Sequence, residues 1–254
     1  MTEVSTISDA IDRHLSSAEM RSRLPEFRAS YARYDYVEID EFMPADIWRH
    51  ALDELEELFE SRSQRRDVLI PQSANTPRRY SNVDRDSLAA GSVVIPEIFR
   101  STALYQLLES IVGEQVLPVP YLPEEFIASR LSSAGDVHGW HWDDYTWALV
   151  WIFRMPAEQD GGQLEYVSRV PWNRDDPQIE RLVARGPLVR RRPRVCSAYL
   201  LKADTALHRV APLKRDAERM IVCYSFAAET DLAREVDHSS MAALYPQSHE
   251  RHYG

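Results

Sequence analysis

The second half of the chain is a succession of short apolar runs, each closed by a turn, and that spacing limits the fold more than any other feature. Phe126–Leu131 has strand-like content and leads through Ser-Ser-Ala-Gly to His138. Thr146–Phe153 is a second β-rich run, followed by a Pro/Gly turn and then Gly161–Val167. Arg194–Leu201, Ala206–Val210 and Arg219–Phe226 complete the series, with Lys202–Thr205 as an intervening turn. Apolar runs this short, bounded by Gly, Pro, Asp and Ser, read as strands. Upstream the spacing is helical. Ser8–Ser22 has mixed apolar spacing, Pro44–Ser61 a strong helical pattern with Asp46 near its start, and Pro96–Val112 a helix ending at Gly113. Between the first two, Tyr31–Ile39 alternates like a strand. Residues 71–87, rich in Asn, Ser, Pro and Arg, read as a long loop of the kind that often carries function. Trp172–Arg185 reads as a helix inserted between two core strands. Helices followed by short strands favour an α+β fold with a β-sandwich core. The length of 254 residues suits one domain, 1–254, with a helical N-terminal portion 1–115, a β core at about 116–228 and a polar, irregular tail.

Composition narrows the function classes. A formal net charge of −10 argues against a general nucleic-acid or anionic-membrane partner. No apolar run reaches the roughly 18 residues of a membrane span. Met1–Leu15 is polar, without the apolar segment of a secretory signal, so a cytoplasmic location is expected. The two cysteines, Cys196 and Cys223, both fall in expected strands and read as buried thiols rather than a disulfide.

His141-Trp-Asp143 is followed far downstream by His208. Two imidazoles and a carboxylate in this order are the ligand set of a facial triad, which holds Fe(II) by one face of its octahedron and leaves the other open. The short motif is weak alone. Eight histidines and 40 acidic residues in 254 positions give about one His-x-acid pair by chance. The order of the surrounding strands gives it weight. Arg219, eleven residues past His208, opens an apolar strand where an unpaired charge is costly. A guanidinium there suits the far carboxylate of a 2-oxo acid, which it binds through two parallel N–H···O bonds. Arg215 competes for the role, but its neighbours Lys214, Asp216 and Glu218 mark a solvated turn. The run Arg190–Arg192 with Arg194 also reads as solvated charge. Four tryptophans at 140, 142, 147 and 151 suit either an aromatic wall around the centre or packing between strand faces.

The ordered set His-x-Asp, Gly-Gly-x-Leu, Ala-Asp-x-x-x-His-Arg-Val and Arg-x-x-x-x-x-Ser-Phe resembles the Fe(II)/2-oxoglutarate-dependent oxygenases over roughly residues 124–226. The resemblance implies a double-stranded β-helix core, a jelly-roll (cupin-like) relative, with flanking N-terminal helices. It implies Fe(II) at His141, Asp143 and His208, 2-oxoglutarate on Arg219, and O2 as co-substrate. Within that superfamily His138–Asp144 and the chain length resemble the group acting on free amino acids, which includes the radical lysine halogenases and their hydroxylase relatives. In the halogenases a Gly stands where this chain has Asp143, and a carboxylate there occupies the halide's position. The resemblance therefore implies a hydroxylase of a free amino acid, lysine or another basic one, working by ferryl C–H abstraction and hydroxyl rebound. It places Arg78, Glu124, His138 and Asp144 in the substrate pocket. Charge logic agrees, since a zwitterion with a cationic side chain needs a cation for its carboxylate and acids for its amines. Alternation from Arg219 puts Cys223 and Ser225 on the same inward face. Lysine-acting members carry more polar residues there than Cys223. Two other readings use the same residues: a zinc hydrolase, and a non-enzymatic jelly-roll protein that binds a small molecule.

Overall fold

A computed structural model describes residues 6–253. Residues 1–5, the start of the segment read above for a secretory signal, lie outside the described residues.

The chain opens with α1 (Ile7–Leu15), α2 (Ala18–Ser22) and α3 (Leu24–Tyr34), then β1 (Tyr36–Ile39), α4 (Ala45–Ser61), β2 (Gln64–Ile70) and β3 (Thr76–Val83). Next come α5 (Arg85–Gly91), α6 (Val94–Arg100), α7 (Thr102–Val112), β4 (Leu117–Pro118), β5 (Phe126–Leu131) and β6 (Val137–His141). They are followed by β7 (Trp147–Arg154), β8 (Leu164–Val167), α8 (Ile179–Arg185), β9 (Val189–Arg191), β10 (Ala198–Lys202), β11 (Leu207–Val210) and β12 (Arg219–Ala227). Three short helices close the chain, α9 (Glu229–Leu232), α10 (Ser239–Leu244) and α11 (Pro246–Tyr253).

The strands form one curled antiparallel sheet in the order β1-β10-β7-β12-β5-β3-β6-β11-β8-β9, with β2 beside β3 and β4 beside β12. This is the jelly-roll core with mixed helix and strand content that the sequence implies. β3 turns the corner between the two layers. Its Ser81–Val83 end pairs with β5, and its Arg78–Arg79 end pairs with β6. Gly139 makes that second pairing possible, because a Cβ there would meet the Pro77 carbonyl oxygen at 2.7 Å.

Alternation decides which face each strand offers. Trp147, Leu149, Trp151 and Phe153 of β7 join Met220, Val222, Tyr224 and Phe226 of β12 in the main core. That core also takes Ile47, Ala51, Leu55, Leu58 and Phe59 from α4, at the three- and four-residue spacing of one helix stripe. The intervening residues, Ala148, Val150 and Ile152 of β7 with Ile221 of β12, face the interior of the roll. β7 is therefore buried on both faces and reads as a continuous apolar run.

The N-terminal portion differs from expectation. Residues 71–87 are not a long loop: Thr76–Val83 is a strand, and the polar residues lie on a half-buried corner where periodicity carries little signal. Strands β2 and β3 also fall within the portion expected to be helical, whereas β1 lies in the run expected to be a strand. Tyr31–Ile39 splits into the end of α3 and β1, broken at Asp35 with φ 52°. Pro96–Val112 is two helices separated at Ser101, whose hydroxyl accepts from the Leu104 amide and starts a new helix. Only Ile179–Arg185 of the expected insert is helical. Arg194–Cys196 precedes the strand rather than opening it, so Cys196 sits in a turn at φ 70°. Both cysteines are free thiols. The tail is not irregular: α9–α11 fold back against the roll. Among the described residues no helix is long and apolar enough to cross a membrane.

Candidate metal centre and substrate pocket

One pocket inside the roll is lined by all ten residues expected from sequence: Arg78, Glu124, His138, His141, Asp143, Asp144, His208, Arg219, Cys223 and Ser225. His141 at the end of β6 lies opposite His208 on β11 in the strand register, so the two imidazoles come together across one pair of strands. Their ring centroids are 4.0 Å apart. Each Nδ1–H donates to a backbone carbonyl two residues earlier, His141 to Gly139 and His208 to Ala206, both at 2.8 Å. These bonds fix the tautomer and leave both Nε2 lone pairs free for a metal. Asp143 completes the set. Its Oδ1 lies 3.4 Å from His141 Nε2 and 3.5 Å from His208 Nε2. The turn that carries it is held from both sides. Asp143 N–H donates to Ala203 O, Ala203 N–H to Thr146 O, and Asp231 accepts from both the amide and hydroxyl of Thr146. Burial, with nearby positive charge, pushes the His141 pKa well below its ordinary value, which keeps the ring in its metal-binding form. Burial raises Asp143 despite His208 and Arg78 nearby, a shift that a bound cation reverses.

Arg219 begins β12 and points into the same pocket. It is 2% exposed, and its Nε and Nη2 have no partner. Burial lowers its pKa, and the Tyr199 hydroxyl beside it supports the cation. A buried guanidinium without a carboxylate is costly. The unfilled donors suit an acid of the kind that the far carboxylate of a 2-oxo diacid would supply. Arg215, the competing candidate, is exposed and paired with Asp160. The donor set and the orphaned Arg219 together fit Fe(II) with 2-oxoglutarate.

A second buried guanidinium, Arg78, lines the other side of Asp143. It donates to Thr76 Oγ1 at 3.1 Å and Pro77 O at 3.2 Å, while its Nε is unpartnered. Its neighbour Arg79 is the surface residue of the pair. His138, opposite Arg78 in the register, stacks on His141 at 4.2 Å and is held neutral chiefly by burial. Glu124 is buried, not part of a solvated turn. Burial, then Asp144 and Asp143, drives its pKa well above the usual carboxylate range. Asp144 is pushed up to about 6 by burial, against the pull of Arg174, to which it is ion-paired. Cys223 and Ser225 face inward as the alternation predicts, and burial raises the Cys223 thiol.

Of the four tryptophans only Trp142 lines the pocket. Trp147 and Trp151 pack toward the helices, and Trp140 lies in a satellite cluster with Ile179 and Leu207. Arg190 is not idle charge either: it pairs with buried Glu165. Pocket residues that the sequence did not single out are Tyr199 and a group from the C-terminal helices, Met241, Leu244 and Tyr245; Arg174, also unforeseen, pairs with Asp144 at the pocket wall. Tyr199 was reachable from strand alternation. The others sit in segments without periodicity.

Fold and site together define the class: a non-haem Fe(II)/2-oxoglutarate-dependent oxygenase. Solved structures share the fold. The non-heme alpha ketoglutarate dependent epimerase SnoN from nogalamycin biosynthesis is 16% identical at a TM-score of 0.63, over 82% of each chain. A prolyl hydroxylase from Trichoplax adhaerens is 12% identical at a TM-score of 0.61, over 86% of this chain and 97% of that one. AviO1 from Streptomyces viridochromogenes Tue57 is 16% identical at 0.58, over 84% and 97%. No curated protein sequence matches the chain. The chain belongs to the Halogenase D family, whose model matches residues 20–246.

Proposed function

We propose that the protein is an Fe(II)/2-oxoglutarate-dependent hydroxylase of a free amino acid, with lysine or another basic amino acid preferred. The observation that carries the oxygenase part is a His-Asp-His triad sharing its pocket with a buried arginine whose donors are unfilled. His141, Asp143 and His208 hold Fe(II), and Arg219 anchors 2-oxoglutarate. When bound, this pair with O2 supplies oxidation of an unactivated C–H bond, with succinate and carbon dioxide as co-products. Hydroxylation rather than halogenation follows from Asp143, whose carboxylate lies where the halogenases of this family leave a Gly and room for halide. Arg78 and His138 receive the substrate carboxylate, Glu124 and Asp144 its amino groups, and Cys223 and Ser225 wall the space between. A zinc hydrolase or a passive binding protein would use only part of this set; in hydrolysis Arg219 has no task. The reading extends to a single catalytic domain in the cytoplasm, where two free thiols are at home.

The test is aerobic incubation of the purified protein with Fe(II), 2-oxoglutarate and a panel of amino acids. Oxygen-dependent succinate release with gain of one oxygen atom on a basic amino acid is expected. Succinate release driven by no amino acid in the panel would overturn the substrate class.

A further inference from the structure

Where Glu124 lines the pocket, away from Arg78, the fold leaves two neighbouring polar atoms unsatisfied. Glu124 Oε1 and His238 Nδ1 are both buried, neither has a hydrogen-bond partner, and they lie 3.4 Å apart. Glu124 is only 6% exposed. With Asp144 they bring three acceptor atoms within 4.8 Å of one another. The His238 ring is held flat on Tyr121, centroids 3.8 Å apart at 7°. Its Nε2 lies 3.5 Å from the Tyr145 hydroxyl. The Tyr145 hydroxyl can meet Nε2 in either tautomer, and in the one that protonates Nε2 the Nδ1 turns a lone pair toward Glu124. Burial keeps the ring neutral, with its pKa pulled down to about 4. With Glu124 ionised, two acceptors then face each other in a buried site and require a donor between them.

Without ligand the donor is the proton that Glu124 retains, since burial and Asp144 hold its pKa well above the ordinary carboxylate range; an incoming cation takes its place. Arg174, the nearest cation, is fixed on the outer side of Asp144. It also donates to Asp237 at 3.3 Å and lies over the Trp172 ring at 3.7 Å. A cation already on Asp144 disfavours a divalent metal among these ligands. A primary ammonium has three N–H donors and one charge, which matches three acceptors flanked by Arg174. The site also lies at the correct end. The titratable groups that act on Arg78 are Tyr80, Asp143 and Tyr245, whereas those that act most on Glu124 are Asp144, Asp143 and Arg174. Asp143 is common to both. An amino acid with its carboxylate on Arg78 spans the triad and points its distal end at Glu124.

We propose that His238 completes, with Glu124 and Asp144, a three-acceptor site for the side-chain ammonium of the substrate, and so selects a diamino acid over a neutral one of equal length. The inference rests on the amino-acid reading above and adds to it a residue from the C-terminal segment.

The test is calorimetric titration of the full chain, loaded with Fe(II) and 2-oxoglutarate under argon. The probes are two pairs that exchange ammonium for methyl: L-lysine with L-2-aminoheptanoic acid, and L-ornithine with L-norleucine. In at least one pair the ammonium probe binds about tenfold tighter or more, the size of a charged hydrogen-bond set. His238→Phe keeps the stack on Tyr121 and removes that preference, leaving the methyl probe within about twofold of wild type. His238→Asn, whose side-chain oxygen stands in for Nδ1, restores part of it. Binding of the methyl probe reports that the variant is folded, and His238→Leu replaces the Phe variant if that one does not fold. Equal weakening of both probes makes His238 structural only and overturns the proposal. Equal wild-type binding of both probes overturns the ammonium site while the amino-acid reading stands. If neither pair binds, the amino-acid reading falls, and the site with it.

Discussion

Replacing Arg219 with Met keeps the apolar stem and deletes the guanidinium, and the structure gives the two effects opposite signs. In the ligand-free protein Arg219 is 2% exposed with two donor atoms unpartnered. Burial already works against its charge. Deleting an unpaired buried charge is neutral or stabilising, so Arg219→Met holds or gains thermal stability without ligand. With 2-oxoglutarate the sign reverses. Loss of one partner of a desolvated charge pair costs about 2–5 kcal/mol. That is roughly 30- to 4,000-fold in Kd at about 1.4 kcal/mol per tenfold. At a concentration about 100 times the wild-type Kd, 2-oxoglutarate stabilises wild type by about 2.7 kcal/mol, and the variant by less than about 1 kcal/mol. The assay is thermal unfolding with Fe(II) under argon across a 2-oxoglutarate series. Arg215→Ala is the control. Its side chain is 61% exposed and paired with Asp160, an interaction worth about 1 kcal/mol or less, and its 2-oxoglutarate response should match wild type. A full ligand response in Arg219→Met, or its loss in Arg215→Ala, would refute the assignment.

His141→Ala and His208→Ala should each abolish turnover, because a two-ligand remnant does not hold iron in place; full activity with Zn(II) under argon would contradict the oxygenase class. Asp143→Gly should end efficient hydroxylation and weaken iron binding unless chloride replaces the lost charge, with at most slow chlorination by mass spectrometry. Hydroxylation at the wild-type rate in that variant, or chlorinated product from the unaltered protein, counts against Asp143 as a ligand. Glu124→Gln should weaken a basic amino acid by about 1–3 kcal/mol relative to a neutral one of similar length, measured as a ratio of KM values, and equal losses would remove Glu124 from substrate recognition. His238 titrates near 4 in the folded chain, below the ordinary histidine value of about 6.5. Between those values the unfolded chain binds the proton and the folded chain does not, so this stability is present above about pH 6.5 and lost as pH falls toward 4. His238→Asn should therefore flatten the decline in urea-unfolding stability over that window, and an unchanged slope would show that His238 is not held neutral.

The residues of the candidate site were legible in the chain because most are tied to a strand end. His141 closes β6, His208 lies in β11, and Arg219 opens β12, so strand periodicity and turn chemistry fix their places. Alternation along β12 likewise put Arg219, Cys223 and Ser225 on one face before any contact was known. The strong stripe of α4 and the cap at Gly113 were legible for the same reason, since both are local consequences of sequence. Segments whose partners are distant could not be read this way. Thr76–Val83 looks like loop because its polar residues become buried only where β3 turns between β5 and β6. The C-terminal helices are short and carry no sustained stripe, so their order comes from docking. Tyr121 bonds His249 at 2.6 Å, and Tyr253 Oη bonds the Leu122 amide at 3.2 Å. Which side chains are charged, paired or orphaned is likewise a tertiary fact. Arg78 and Arg79 are identical in sequence terms, yet one is 3% exposed in the pocket while the other pairs with Asp67 at the surface. Sequence periodicity fixes which face a residue takes, while only packing decides what meets it there, because burial and pairing depend on groups brought together from positions far apart in the chain.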